Sequence, residues 1–596
     1  MHKIKARFLI SLLLLCGIVL EVPRCEAQSG SSPAAGSQLK ADAEIPPAVA
    51  RELEALKARV AQLEALLLKS NAAAQPTASA AAAKPAVQEA APREVAAVSP
   101  APAAAIAPAQ PGSEAQGSQP AAAEAPAPSE PFAYADWTWL NGNARNKDVV
   151  WDSKFFTPEV RFDTQFIHSF NEPKDDTIGG STEIFRNNEF QLEQISFGGD
   201  FHWQDVRGRV LTMNGLFAVT TPRNDASVGR GQWDLRGAYK YVSEAWGGYH
   251  FHVNHGLNVD AGIFVSYIGL FSYYNFDNWA YQPSYVSSNT PWFFNGLRIQ
   301  WFPTDKLKIE PWIINGWQSY ARYGSKPGLG GQILYRPKPW LSMVFNNYGM
   351  GEDTLGGVVG NTQYGVQGQD GAGRSRIHTD DSIEVKYYDR PTRFLDKMAF
   401  SLTGDLGCEY GAGVSCHGHQ IKNGTLWPQQ SFAGWMGYNR FWFKKDQYAI
   451  TLGYGAMDNP GRYLTLLPPI NGADAVSGSP YFPTGPQLGA DGNIHQTLFK
   501  GWDTSATFDW MPRQYITFRS EFGYRHADQP YWSGAGGITP PGGNNGYPSQ
   551  FVCNNGTAAG SSLPTAISNC VGNGGLWQPN LVHDEPSLRF AIMVKF

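Results

Sequence analysis

The chain has 596 residues, of which 42% are hydrophobic and 17% charged, with a formal net charge of -5. This composition excludes a disordered polyelectrolyte and gives no basic footprint for nucleic acid. Aromatics reach 13%, with 19 Trp and 64 Gly, which disfavours a helical bundle and suits a large β protein with many turns.

At the start of the chain, Lys3, Lys5 and Arg7 precede the apolar run from Phe8 to Leu20, and Cys25-Glu26-Ala27 follows as a small-x-small cleavage site. This pattern predicts a secretory signal peptide over residues 1–27, since the apolar run is too short to span a bilayer. Lipid attachment is disfavoured by Leu15 before Cys16 and Arg24 before Cys25. Val49, Leu53, Leu56, Val60, Leu63 and Leu67 then recur at alternating spacings of four and three, which predicts a coiled-coil helix over 46–69. Glu52 with Lys57 and Arg59 with Glu64 supply opposite charges beside that seam. A single amphipathic helix is the alternative. Residues 70–131 are dominated by Ala and Pro and form a semi-extended linker. From Phe132 the composition turns to aromatic residues, Gly and Asn, which marks the start of a domain over 132–596.

Within that domain, alternating segments of about ten residues are separated by gaps that are short and long in turn. Short gaps include Pro303-Thr304-Asp305-Lys306, Arg336-Pro337-Lys338-Pro339, Lys444-Lys445-Asp446-Gln447 and Met511-Pro512-Arg513-Gln514. Long ones fall near 171–188, 220–231, 268–291, 320–328, 351–377, 408–430, 458–498 and 527–585. The count predicts an all-β, transmembrane antiparallel β-barrel of about 16 strands, with 18 as the alternative. Both chain ends then fall on the short-turn side. A soluble β protein alternates too, but charges of both signs on one face and aromatics at strand ends fit a wet lumen and lipid interfaces. The inward, pore-lining set is Arg161, Asp163, Arg298, Gln300, Lys308, Glu310, Glu384, Lys386, Arg519, Glu521 and Arg525. In the closing SLRFAIMVKF, Leu588, Phe590, Ile592, Val594 and Phe596 face lipid, while Arg589 and Lys595 point to water.

The stretches FAYADWTWLNGNARNKD, GGYHFHVNHGLNVDAGIFVSYIGL, PWFFNGLRIQWFPTDKLKIEPWIINGWQSY and ITFRSEFGYRHAD resemble the OmpL-like putative β-barrel porins of Gram-negative outer membranes. The resemblance covers roughly 132–596. It implies a passive pore in the outer membrane, with lipids and the barrel assembly machinery as partners. The coiled coil and linker lie outside the resemblance: the short-turn side, and with it the coiled coil, falls in the periplasm, and the coiled coil suggests oligomers, which the resemblance makes homotrimers through barrel and coiled coil. Phe596, ending an alternating strand, resembles the assembly signal of such barrels. The third long gap holds Tyr273, Tyr274, Asp277, Trp279 and Tyr281. By analogy with porins it is a constriction loop inside the pore; a subunit interface or plain packing on neighbouring loops are the alternatives.

Four cysteines follow the signal peptide. Their placement within single long gaps suggests Cys408–Cys416 and Cys553–Cys570 disulfides, with free thiols as the alternative. Cys416-His417-Gly418-His419 and His250, His252 and His255 lack the spacing of a metal site, so no metal or cofactor is called for. No nucleophile motif or phosphate-binding loop is present, so no enzyme and no catalytic residue is expected. These readings converge on a water-filled channel for passive diffusion of small polar solutes such as sugars or small ions. A non-conducting barrel with adhesion or recognition loops is the alternative.

Overall fold

Side chains that alternate between oily and polar at every second position need lipid on one side and water or protein on the other, and a strand meets that demand only as part of a closed sheet. The computed structural model describes residues 129–178, 185–223, 225, 235–322, 326–351, 375–410, 415–417, 419–420, 426–427, 429, 431–459, 487–488, 494–495, 499–537 and 580–596. The expected signal peptide, the coiled-coil helix, the linker up to residue 128 and the Cys553–Cys570 bridge lie outside these residues.

Among the described residues, sixteen antiparallel strands close into a barrel in strict sequence order. They are β1 (Phe156–Ser169), β2 (Phe190–Trp203), β3 (Val206–Thr212), β4 (Val242–Phe251), β5 (Leu257–Val265) and β6 (Phe293–Thr304). Then follow β7 (Leu307–Ile314), β8 (Gly328–Lys338), β9 (Leu341–Gly351), β10 (Ser375–Asp389) and β11 (Leu395–Tyr410). The ring is completed by β12 (Ser431–Phe443), β13 (Tyr448–Asn459), β14 (Phe499–Arg513), β15 (Ile516–Ala527) and β16 (Asp584–Lys595). The count is the one the gap pattern implies, and all eight long gaps fall between the expected strand pairs.

Closure joins the two ends of the domain. In β16 against β1, Val594 pairs with Phe162, Ile592 with Thr164 and Phe590 with Phe166. The N–H of Phe596 donates to the carbonyl of Val160 at 2.9 Å, and the N–H of Val160 donates back to the carbonyl of Phe596 at 3.1 Å. No open edge is left at the seam, as a hydrocarbon surrounding requires. Phe590 and Ile592 are exposed on the outer face, whereas Arg589 is buried inside. Phe162, Leu402, Leu452, Phe508 and Phe522 continue the exposed apolar band around the barrel. Near the long-loop rim, Trp435, Tyr454, Trp502 and Tyr524 form a row of neighbouring rings across β12–β15, with centroids 5.3, 6.3 and 5.5 Å apart. Such amphipathic rings suit the level of lipid headgroups.

The short turns show the backbone that tight connections demand. Gln204 and Asp205 between β2 and β3 both have positive φ, and so do Lys444, Lys445 and Asp446 between β12 and β13. On the long-loop side, the connection from β3 to β4 carries two short helices, α1 (Phe217–Arg223) and α2 (Arg236–Tyr239). Cys408 at the end of β11 is disulfide-bonded to Cys416 in the following loop, with the Cα atoms 5.3 Å apart.

Candidate functional site

The inner face of the barrel is polar and charged, and the connection between β5 and β6, residues 266–292, lies against it. This is the aromatic third long loop. It contains two single-turn 3-10 helices, Asn275–Asp277 and Ser287–Asn289. These two turns satisfy only part of the loop's backbone, and side chains of the wall take up other donors and acceptors.

Each contact is specific. Glu521 on β15 accepts from the N–H of Tyr281 at 2.6 Å and of Gln282 at 2.9 Å. Arg519 donates to the carbonyls of Asn278 at 2.7 Å and Asn275 at 3.3 Å. Arg525 donates to the carbonyl of Pro283 at 3.2 Å. Asp163 on β1 accepts from Asn275 at 3.0 Å and from the Tyr281 hydroxyl at 3.1 Å. Arg161 reaches Asp277 at 3.0 Å, pairs with Glu159, and lies 4.1 Å over the Tyr274 ring. Tyr274 donates to Glu244 at 2.9 Å, and Tyr273 shares a hydrogen bond with Thr221. The inward charges of this sector are therefore clamps on the loop. Arg161, Asp163, Arg519, Glu521 and Arg525 are all buried by it.

A second inward set lies on β5–β7. Arg298 pairs with Asp260 at 2.8 Å and rests over the rings of Trp246 and Phe264. Lys308 reaches Glu310 at 2.6 Å, and Gln300 donates to the same carboxylate at 2.8 Å. A third lies on β10, where Glu384 accepts from the backbone of Asn141 at 2.8 Å and Lys386 pairs with Asp389 at 2.7 Å.

Small residues make room for the loop. A Cβ on Gly455 would stand 2.1 Å from the Ser284 hydroxyl, and one on Gly501 would stand 2.3 Å from the Tyr285 hydroxyl. Both glycines face inward on neighbouring strands, β13 and β14, so the wall is recessed where the loop seats.

Several inward groups are not recognisable from alternation alone. Asp509 receives Arg440 and Arg519, each at 2.7 Å, and Asp503 receives the Ser284 hydroxyl at 2.7 Å. Arg209 holds Glu159, Asp200 and Glu244 at 2.9 Å each. The alternation of GWDTSATFDW is interrupted by small residues, which hides Asp503 and Asp509. Barrel register was the missing signal, since these partners lie one or two strands away or, for Ser284, in the loop.

Residues 129–148 precede the barrel and also enter it. Trp137, Trp139, Leu140 and Asn141 are buried there, packed with Trp279 of the loop and with Trp442 and Met511 of the wall. The histidines of the β4–β5 region take separate partners: His250 sits 2.7 Å from Asn258, His252 3.0 Å from Asp205, and His255 2.8 Å from the Ser129 carbonyl.

Outside the strands, electrostatics fix the segment's polar face. Burial raises the Asp136 carboxyl, but hydrogen bonds from Lys147 and Thr138 outweigh it and hold the group at about 2. Burial also pulls the Arg145 guanidinium down to about 10. Arg145 spends its donors on the carbonyl of Arg513 at 3.0 Å and the Thr517 hydroxyl at 2.9 Å.

A closed sixteen-stranded barrel with an apolar outer band, a charged inner wall and a loop folded inside defines an outer-membrane channel protein of the porin class. The family model described as putative beta-barrel porin-2, OmpL-like, matches residues 161–554, and the chain belongs to that family. Among solved structures, it is similar to the outer-membrane expressed OmpT of Vibrio cholerae, at 8% identity over 75% of this chain and 100% of that one, with a TM-score of 0.38. The outer membrane channel DcaP of Acinetobacter baumannii matches at 10% identity over 75% of this chain and 99% of that one, with a TM-score of 0.37. An anion-selective porin from Comamonas acidovorans matches at 11% identity over 74% of this chain and 99% of that one, with a TM-score of 0.36. No curated protein matches the chain.

Proposed function

We propose that this outer-membrane barrel is a channel for passive diffusion of small polar solutes. The carrying observation is a closed ring whose inner face bears Arg298, Gln300, Lys308 and Glu310 while its outer face is a continuous apolar band. That division suits water inside and lipid outside. No nucleotide, metal or reaction step enters the mechanism. A solute moves down its own gradient, and fixed charges along the wall set which ions pass.

In this reading the eleven inward residues expected from the sequence line or support the pore, and their mixed signs give weak ion selectivity. Tyr273, Tyr274, Asp277, Trp279 and Tyr281 form the constriction, because loop 266–292 occupies the lumen at their level. Phe596 acts in assembly, where the barrel machinery reads the last strand. The short-turn end faces the periplasm, and so does the N-terminal coiled coil. The heptad seam over 46–69 supports a homotrimer; deleting it should lower the native mass, and an unchanged mass would contradict that role.

The packing of the lumen also suits the second reading, a barrel that does not conduct and presents its long loops for adhesion or recognition. Planar-bilayer recording separates the two. Discrete current steps are expected from the channel. Folded, inserted protein that gives no steps, with or without residues 132–147, would contradict it.

A further inference from the structure

Residues 129–148 cross the barrel along a diameter. At one end His255 donates to the Ser129 carbonyl at 2.8 Å, and the N–H of Phe132 donates to the carbonyl of Asp305 in the β6–β7 turn at 2.7 Å. At the other end the N–H of Lys147 donates to Gln514 in the β14–β15 turn at 2.7 Å, and Asn146 donates to the carbonyl of Lys595 at 2.9 Å. Those two turns stand eight strands apart in a ring of sixteen, so the anchors lie on opposite walls at the short-turn mouth.

Between the anchors, the segment meets the wall and the loop at once. The N–H of Asn141 donates to Glu384 at 2.8 Å, and its side-chain oxygen accepts from the N–H of Trp279 at 2.8 Å. Gly142 has φ +71, and a Cβ there would stand 2.2 Å from the Leu270 carbonyl, so segment and loop touch backbone to backbone. Trp137, Trp139 and Leu140 cover Ala399, Trp442, Ala449 and Met511, which point inward from β11–β14. Apolar inner-wall residues are out of place in a permanently wet lumen, and they are explained if something oily sits on them.

The attachment runs through side chains rather than through a strand ladder. Among the described residues, Phe132 to Asp305 is the one backbone–backbone hydrogen bond that ties the segment to the wall. Strands are held by full ladders, whereas the segment can leave the lumen without breaking one. It is continuous with the Ala/Pro-rich stretch that leads into it.

We infer that residues 132–147 are a plug, docked from the short-turn side, which together with loop 266–292 closes the channel, and that solute passes when the plug is withdrawn. This rests on the channel reading above.

The test is single-channel recording of the mature chain beside a variant in which 132–147 is replaced by Gly and Ser at equal length, with barrel folding checked by heat-dependent gel mobility. The full chain should open rarely and briefly, and the variant should stay open with a several-fold larger mean current. Equal currents in both would overturn the plug and leave the channel standing. No current in either would overturn both. A gentler variant, Asn141→Ala with Arg145→Ala, keeps the segment but removes its side-chain bonds to Trp279 of the loop and to Arg513 and Thr517 of the wall; it should lengthen openings, and open times equal to the full chain's would count against the plug even if the replaced variant failed to fold.

Discussion

Asn141 and Trp279 meet inside the barrel, where the N–H of Trp279 donates to the Asn141 side-chain oxygen at 2.8 Å. One residue comes from the segment before the first strand, the other from the loop between β5 and β6. Their bond ties the two lumen fillings to each other. Replacing Asn141 with Ala leaves that buried N–H without its partner, at a cost of about 1–3 kcal/mol. The barrel should melt as before, because its ladders are untouched. Residues 129–148 should become more sensitive to protease, which limited proteolysis reads directly.

Gly455 and Gly501 are recesses for the loop. Gly455→Val would drive side-chain atoms into Ser284, and overpacking of this kind typically costs about 1–3 kcal/mol. The strand can still form, since valine favours it. The expected result is a folded barrel whose loop 266–292 is cut by chymotrypsin faster than in the parent.

Asp509 is a buried carboxylate between two guanidiniums, Arg440 and Arg519. Burying those charges is tolerable because the one carboxylate is hydrogen-bonded to both guanidiniums. Asp509→Ala strands two arginines in the wall, at a cost of about 3–5 kcal/mol. A lower unfolding temperature of the barrel, followed by gel mobility, is the expected outcome.

The Lys147–Asp136 pair, at 2.5 Å, gives the segment a pH dependence. Asp136 is held at about 2, below its ordinary 3.8, so the docked form binds protons less readily than the free one. Its contribution is therefore complete above about pH 4 and is lost as pH falls towards 2. Protease protection of the segment should fall over that window, and Asp136→Asn should abolish the step.

Phe596 exchanges two backbone hydrogen bonds with Val160, and its ring stacks 5.7 Å from Tyr515. Removing it should lower the amount of folded barrel in the membrane. The conductance of the molecules that do assemble should stay the same, which single-channel recording on purified barrels checks.

The wall was readable because lipid imposes a simple rule. Phe590 and Ile592 must alternate with Arg589 and Ala591, and no tertiary contact can override that pattern in hydrocarbon. Long and short gaps were readable for the same reason. What the inward charges hold was not. Glu521 and Arg519 read as pore-facing groups, yet they bond the backbone of residues 275–282, over 200 positions away. Asn141 and Glu384 are likewise 243 positions apart. Such partnerships depend on register and on the path of an irregular segment, and neither leaves a period in the sequence. Trp137, Trp139 and Leu140 looked only like a change of composition until the wall they cover was known.

The most direct test of the whole account is planar-bilayer recording of the folded chain with residues 132–147 replaced by Gly and Ser. Long, discrete current steps that persist in the presence of small polar solutes are the predicted result. Membranes carrying the folded barrel, with the segment or without it, that stay electrically silent would contradict it.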